Sequence, residues 1–292
     1  MIRIFGILAG LFFSLSVLWA FISGAIAVAP VLGEYGQFTE PMADKVFHEK
    51  HPPALHLQSD GPFGTWDLAQ LQRGFQVYKE VCAACHSLKF VAFRDLEELG
   101  YDKGQVKTIA AGFQVPGVDP NTGEATTRPG MPTDYFPSPY PNETAAKAAN
   151  NNAVPPDLSL MAKARHGGPA YIHAILTGYG PEPEALKQQF PDFKVPSTGH
   201  YNKYFPSLAI AMPPPLTAEG QVSYAEGQPK PTIEQMSTDV SAFLEWTAEP
   251  KKVKRTQTGW PVLGFLLFAT ILAYLAKKQV WAALKPKKKH TA

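Results

Sequence analysis

The 292 residues contain two cysteines, Cys82 and Cys85, and His86 follows the second directly. A C-x-x-C-H run of this kind reads as covalent attachment of a c-type haem. On a helix, positions i and i+3 share a face, so both thiols reach the two vinyl groups along one porphyrin edge. The adjacent imidazole then swings under the iron as its proximal ligand. The same two cysteines also fit a redox dithiol of the thioredoxin kind, or a structural disulfide.

A low-spin electron carrier needs a sixth iron ligand, and a thioether raises the reduction potential. Beyond His86 the chain offers Met131, Met161, Met212 and Met236, with His166, His173 and His200 as nitrogen alternatives. Met161 and Met236 fall in helical patterns, where methionine is usually core filler. Met131 follows the turn Arg128-Pro129-Gly130 in polar surroundings. Met212 is favoured: it lies in the apolar run Leu208-Ala209-Ile210-Ala211-Met212, stiffened by Pro213, Pro214 and Pro215. Arg165, just ahead of Gly167 and Gly168 at a helix end, suits a haem propionate. It suits plain solvation as well.

The elements that must position these groups are mostly helical. Asp67 is a reasonable N-cap for a helix running through Leu71, Phe75, Val77, Tyr78 and Val81 to the cysteines. Gly74 in its middle costs about 1 kcal/mol relative to alanine, which makes sense if another helix crosses there. Residues 87 to 110 carry a second helical stretch that stops at Gly100. Residues 112 to 142 hold repeated Pro/Gly turn signals and read as a long loop. A short Ala/Lys helix covers 144 to 150, Asp157 is placed to cap a helix through Leu158 and Met161, and another spans Tyr171 to Leu176. Residues 36 to 64 and 181 to 206 read as irregular chain. His48, His51 and His56 in the former match no common metal spacing. Thr232 and Gln235 form a capping-box pattern ahead of a helix through Met236, Val240, Phe243 and Trp246, stopping before Pro250. This last helix is the one expected to cross at Gly74.

Glycine and proline number 23 and 28, in keeping with long turns and loops. Charge is uneven. Residues 31 to 250 hold 16 Lys and Arg against all 25 Asp and Glu, a net of −9, while ten basic residues follow from Lys251 onward. An acidic body argues against nucleic acid and fits either a basic partner or simple solubility. After Arg3, residues 4 to 33 are uncharged, and Ala25-Ile26-Ala27 supplies an A-x-A site. Residues 1–27 therefore read as an export signal, with retention as an anchor the alternative. Residues 256 to 276 are uncharged again, 21 residues or about 31 Å, enough to span a bilayer. The expected organisation is a signal at 1–27 and an exported domain at 28–250. A transmembrane anchor at 251–284 and a basic cytoplasmic tail at 285–292 complete it.

Several longer runs accompany these features. They are Arg73-Gly74-Phe75-Gln76-Val77-Tyr78-Lys79, Asp134-Tyr135-Phe136-Pro137, Ala149-Asn150-Asn151, Pro155-Pro156-Asp157-Leu158-Ser159, Ala164-Arg165-His166-Gly167-Gly168, Tyr204-Phe205-Pro206, Met212-Pro213-Pro214 and Ala248-Glu249-Pro250. With them the chain, from about His51 to Leu284, resembles the cytochrome c1 family of bacterial type. That family is the haem c subunit of ubiquinol–cytochrome c reductase. The resemblance implies a mainly α, cytochrome c-like haem domain with long irregular loops and one C-terminal transmembrane helix. It implies one covalent haem c on Cys82 and Cys85, His86 and Met212 as axial ligands, and Arg165 near a propionate. It further implies a non-enzymatic redox subunit in the bacterial inner membrane, haem domain in the periplasm, within a dimeric complex. The partners it implies are cytochrome b, the Rieske iron–sulfur subunit and a basic cytochrome c acceptor. Pro213 departs from the alanine that often follows the ligand methionine in the family. The extra cysteine pair of some bacterial relatives is missing. Another membrane-tethered c-type cytochrome and an exported thiol–disulfide enzyme are the rival functions.

Overall fold

A computed structural model describes residues 2–35 and 42–284. In chain order its elements are α1 (Ile2–Tyr35), α2 (Ala43–Phe47), α3 (Leu68–Val77), α4 (Lys103–Ala111), β1 (Gln114–Val118), β2 (Ala125–Pro129) and α5 (Glu143–Ala149). Then come α6 (Met161–Ala164), α7 (Pro169–Thr177), α8 (Glu184–Gln189), β3 (His200–Tyr201), β4 (Ala209–Ile210), α9 (Ile233–Ala248) and α10 (Lys252–Ala282). Among the described residues the structure is mainly helical, as expected from the sequence. The chain divides into two compact units. Met1–Phe47 and Pro183–Phe193 make the first, and His48–Glu182 with Lys194–Ala292 makes the second.

In the first unit α1 is one continuous helix through Ala25-Ile26-Ala27. Phe47 meets Phe190 edge-on at 6.1 Å between ring centroids. The second unit holds the core and every residue with site chemistry. Its axis is the crossing of α3 and α9. Asp67 caps α3 by accepting from Gln70 N at 3.0 Å. At Gly74 a Cβ would run into the Asp239 carbonyl and come within 2.7 Å of Phe243 Cβ. The glycine lets the two backbones touch, which is the crossing its position forecast. Beside it Arg73 forks onto the fully buried Asp239, Nε to Oδ2 at 2.9 Å and Nη2 to Oδ1 at 3.2 Å. Gln70 and Gln235 also donate to Asp239 Oδ1, at 3.1 and 2.9 Å, so the carboxylate is buried but not orphaned. Phe75, Phe93, Phe136 and Phe243 fill the space behind, with Phe93 and Phe136 at 4.4 Å.

Several expectations need correcting. Residues 87 to 110 are not one helical stretch. A 3-10 helix covers Phe93–Leu99 and ends at Gly100 with φ 91°, and α4 starts afresh behind the cap Asp102. Residues 112 to 142 are not all loop, because β1 and β2 pair as an antiparallel hairpin, Gln114 opposite Pro129 through Val118 opposite Ala125. Residues 181 to 206 contain α8. Thr232 does cap α9, accepting from Gln235 N at 3.0 Å. The reciprocal half of the capping box is absent, since Gln235 reaches on to Asp239 instead.

Only Glu249, Pro250 and Lys251 separate α9 from α10, and that joint is tied at several points. Lys252 bridges Glu245 at 2.6 Å and Asp60 at 3.3 Å, and Arg255 bridges Glu249 at 2.6 Å. The indole of Trp66 donates to Pro250 O and that of Trp260 to Pro62 O, both at 3.3 Å. Beyond the joint α10 is long and apolar enough to cross a membrane, and none of it is buried. The basic tail at 285–292 lies outside the described residues.

Candidate haem-attachment site

The thiol-bearing helix does not stay α-helical to its end. Tyr78–Cys82 forms a π turn, marked by Ala83 N donating to Tyr78 O at 2.8 Å. Such wide turns insert one residue into a helix and recur at functional sites. The chain then closes tightly, with Cys85 N and His86 N both donating to Cys82 O at 3.1 and 2.9 Å. Both cysteines are free, partly buried thiols. Burial, and behind it the charge of Cys85, pushes the Cys82 thiol up to about 12. A dithiol enzyme requires the opposite, a thiol whose pKa is lowered.

His86 is held by its Nδ1, which donates to the Pro156 carbonyl at 2.8 Å. A carbonyl can only accept, so the proton sits on Nδ1 and Nε2 keeps its lone pair. Burial lowers the imidazole pKa, more than the Pro156 bond and nearby Asp157 raise it. Neutral imidazole with a free nitrogen and a carbonyl-bonded N–H is the form a metal ligand takes. Tyr78, among the deepest residues of the core, donates from Oη to His86 O at 3.1 Å. Its phenol is driven upward chiefly by burial and stays protonated.

Asp157 does not cap a helix, contrary to expectation; α6 begins only at Met161. It pins the segment after the histidine, accepting from Ser87 Oγ and Lys89 N, both at 2.8 Å, and from Ser159 N at 3.0 Å. Leu158 N to Ser87 O at 2.9 Å and Phe90 N to Ser159 Oγ at 3.1 Å complete the clamp. Burial alone would raise the Asp157 pKa, but these donors outweigh it and hold the carboxyl below its ordinary value. This role was not readable from the sequence, because aspartate ahead of an apolar run signals a cap and a loop clamp equally.

Met212 follows β4, whose register sets His200 opposite Ile210 and Tyr201 opposite Ala209. It is partly buried against the small cluster of Ala174, Ile175 and Tyr204. Tyr179 Oη donates to its carbonyl at 3.0 Å, fixing the backbone just ahead of the three prolines. Of the alternatives, Met236 is wholly buried in the core, Met161 packs against that core, and Met131 is 49% exposed. His173 Nε2 lies 3.0 Å from Glu234 Oε1, His166 is exposed, and His200 sits in β3. Arg165 is exposed at the end of α6. Its Nη1 donates to Ala164 O at 3.3 Å, and no carboxylate pairs with it among the described residues. A thiol at the end of a wide turn and a second in the tight turn after it, a tautomer-fixed imidazole and a thioether on a stiffened loop are the kinds of donor a covalently held haem needs.

Residues 57–284 match the sequence profile of the Cytochrome C1 family. Over 253 residues the chain is 45% identical to "Cytochrome b/c1" of Bradyrhizobium diazoefficiens, covering 79% of this chain and 36% of that protein. It is 44% identical over 241 residues to "Cytochrome c1, heme protein, mitochondrial" of Saccharomyces cerevisiae, covering 82% and 75%. It is 40% identical over 277 residues to "Cytochrome b-c1 complex catalytic subunit, mitochondrial" of Candida albicans, covering 94% and 93%. The chain thus spans about a third of the Bradyrhizobium protein and most of the two fungal ones.

Proposed function

The chain belongs to the cytochrome c1 family, and from that premise we propose that it relays single electrons through one covalent haem c inside a cytochrome bc1 complex. The donor is the Rieske iron–sulfur protein and the acceptor a basic cytochrome c. Cytochrome b is the membrane partner, and the complex is a dimer. Cys82 and Cys85 would hold the haem covalently, His86 and Met212 would ligate its iron, and Arg165 would pair with a propionate. The haem supplies the one-electron couple. The chain positions it, keeps water from it and sets its potential, so no side chain acts as acid, base or nucleophile.

The observation that carries this reading is the fixed His86 imidazole, Nδ1 on the Pro156 carbonyl, directly after two free thiols on one turn. The clamp at Asp157 would hold that imidazole in place under a bound haem. Residues 1–27 serve as the export signal, residues 28–250 lie in the periplasm of a bacterial inner membrane, residues 251–284 anchor them, and 285–292 face the cytoplasm.

A pyridine haemochrome spectrum of the purified chain is expected to show one haem c bound through two thioethers. Absence of covalent haem would overturn the proposal. Sequencing the mature N-terminus is expected to begin at Val28.

A further inference from the structure

The loop Gly61-Pro62-Phe63-Gly64 precedes the core helix α3, yet it is stacked against the anchor helix α10. Phe63 is 81% exposed. One of its faces lies on the indole of Trp260, centroids 6.1 Å apart and planes within 18°. The loop is held in this pose. Gly61 turns it at φ 77°, and Gly64 lies so close to the Ser59 carbonyl that a side chain there would collide. Thr65 N closes onto Gln58 O at 2.9 Å, and Lys252 ties Asp60 to the anchor's first turn.

The depth of Trp260 follows from the charges on α10. Arg255 and Lys277 bound its uncharged stretch and stand 22 positions, about 33 Å, apart along the axis. A hydrocarbon core is about 30 Å thick, so the two charges sit at its two boundaries. Trp260 is five positions, about 7.5 Å, inside Arg255. That is the headgroup and acyl-chain boundary zone, into which amphipathic side chains reach about 5–10 Å and beside which tryptophan collects. Phe63, stacked on it, is at the same level. A bare ring held out between two glycines at that depth meets lipid rather than water. Lys251 and Lys254, both exposed and without a carboxylate partner among the described residues, stand at the start of α10, where they complement anionic headgroups.

We propose that the Gly61–Gly64 loop is a second membrane-contact element, with Phe63 inserted beside Trp260 into the interfacial layer of the phospholipid bilayer. This rests on α10 spanning a membrane. The haem domain is then seated on the bilayer at two points rather than tethered at one.

The test places p-benzoylphenylalanine singly at positions 63, 267 and 118 of the full-length holo-chain in its native membranes, followed by irradiation and mass analysis. Leu267 lies in mid-anchor, and Val118 is an exposed residue of β1. Positions 63 and 267 are expected to gain the mass of one phospholipid, and position 118 none. Lipid at 267, with no adduct or an adduct to another polypeptide at 63, overturns the proposal and leaves the anchor standing. No lipid at 267 sinks the anchor itself and the proposal with it.

Discussion

The hydrogen bond from His86 Nδ1 to Pro156 O joins two segments 70 positions apart and decides a tautomer at the same time. Asp157, the next residue, makes that join permanent, so its removal should be felt at the histidine. Asp157→Asn is expected to cost about 1–2 kcal/mol, since one charged acceptor of three donors becomes neutral at a partly exposed site. The pH dependence has a definite sign. Because the folded carboxyl titrates below its ordinary value of 3.8, its stabilisation is complete above that value and disappears as pH falls through the folded pKa. Thermal melts of the two proteins should therefore differ at pH 7 and converge as the pH falls through the folded pKa, which lies below 3.8. Met212→Leu is expected to keep the covalent haem and lower its potential by on the order of 0.1–0.2 V, a fraction of the roughly 0.8 V that axial ligands command. Redox titration checks it, and an unchanged potential would move the ligand elsewhere. The cysteines, the histidine and the methionine stood out in the sequence as candidates because a C-x-x-C-H run and a proline-stiffened apolar loop single them out. The clamp was not, since Ser87, Asp157 and Ser159 are ordinary loop residues until the fold brings them together.

At the level of elements, α3 and α9 depend on each other. Helix propensity alone favours Gly74→Ala by about 1 kcal/mol. The added Cβ meets backbone at Asp239 and cannot be relieved by a rotamer change. The substitution should instead destabilise by about 1–3 kcal/mol, the usual cost of overpacking, measurable by denaturant unfolding. The ion pair behind it should show strong coupling. Asp239→Leu alone leaves the Arg73 guanidinium buried without its charge and should cost about 3–5 kcal/mol. Arg73→Met together with Asp239→Leu should recover much of that loss, because the buried charge goes with its partner. Glycine in mid-helix was a readable sign of the crossing, whereas the hairpin of β1 and β2 was hidden. Its strands carry Pro116, Gly117 and Pro129 and are largely exposed, so neither alternation nor an apolar run announces them.

For the molecule as a whole, the net of −9 between residues 31 and 250 is the charge that would steer a basic partner of the kind proposed above. The rate of electron transfer to a basic cytochrome c is expected to fall steeply between about 10 mM and 200 mM salt, as the Debye length shrinks from about 30 Å to under 10 Å. Stopped-flow reduction checks this, and a salt-independent rate would reduce the charge to a matter of solubility. The charge and the apolar spans were legible at this scale. The tied joint between α9 and α10 was not, because Asp60, Glu245 and Lys252 meet only in three dimensions.

The separation of Arg73 from Asp239 by 166 positions also has a meaning in time. Ribosomes add about 5–20 residues per second, so α3 and the two thiols that follow it exist on the order of ten seconds or more before α9 is made. Throughout that interval the groove that Phe243 and Trp246 will occupy is open, and the cysteines have not been drawn into the core. The order of synthesis thus leaves a period in which a prosthetic group can be joined to the chain before its last helix shuts the fold around it.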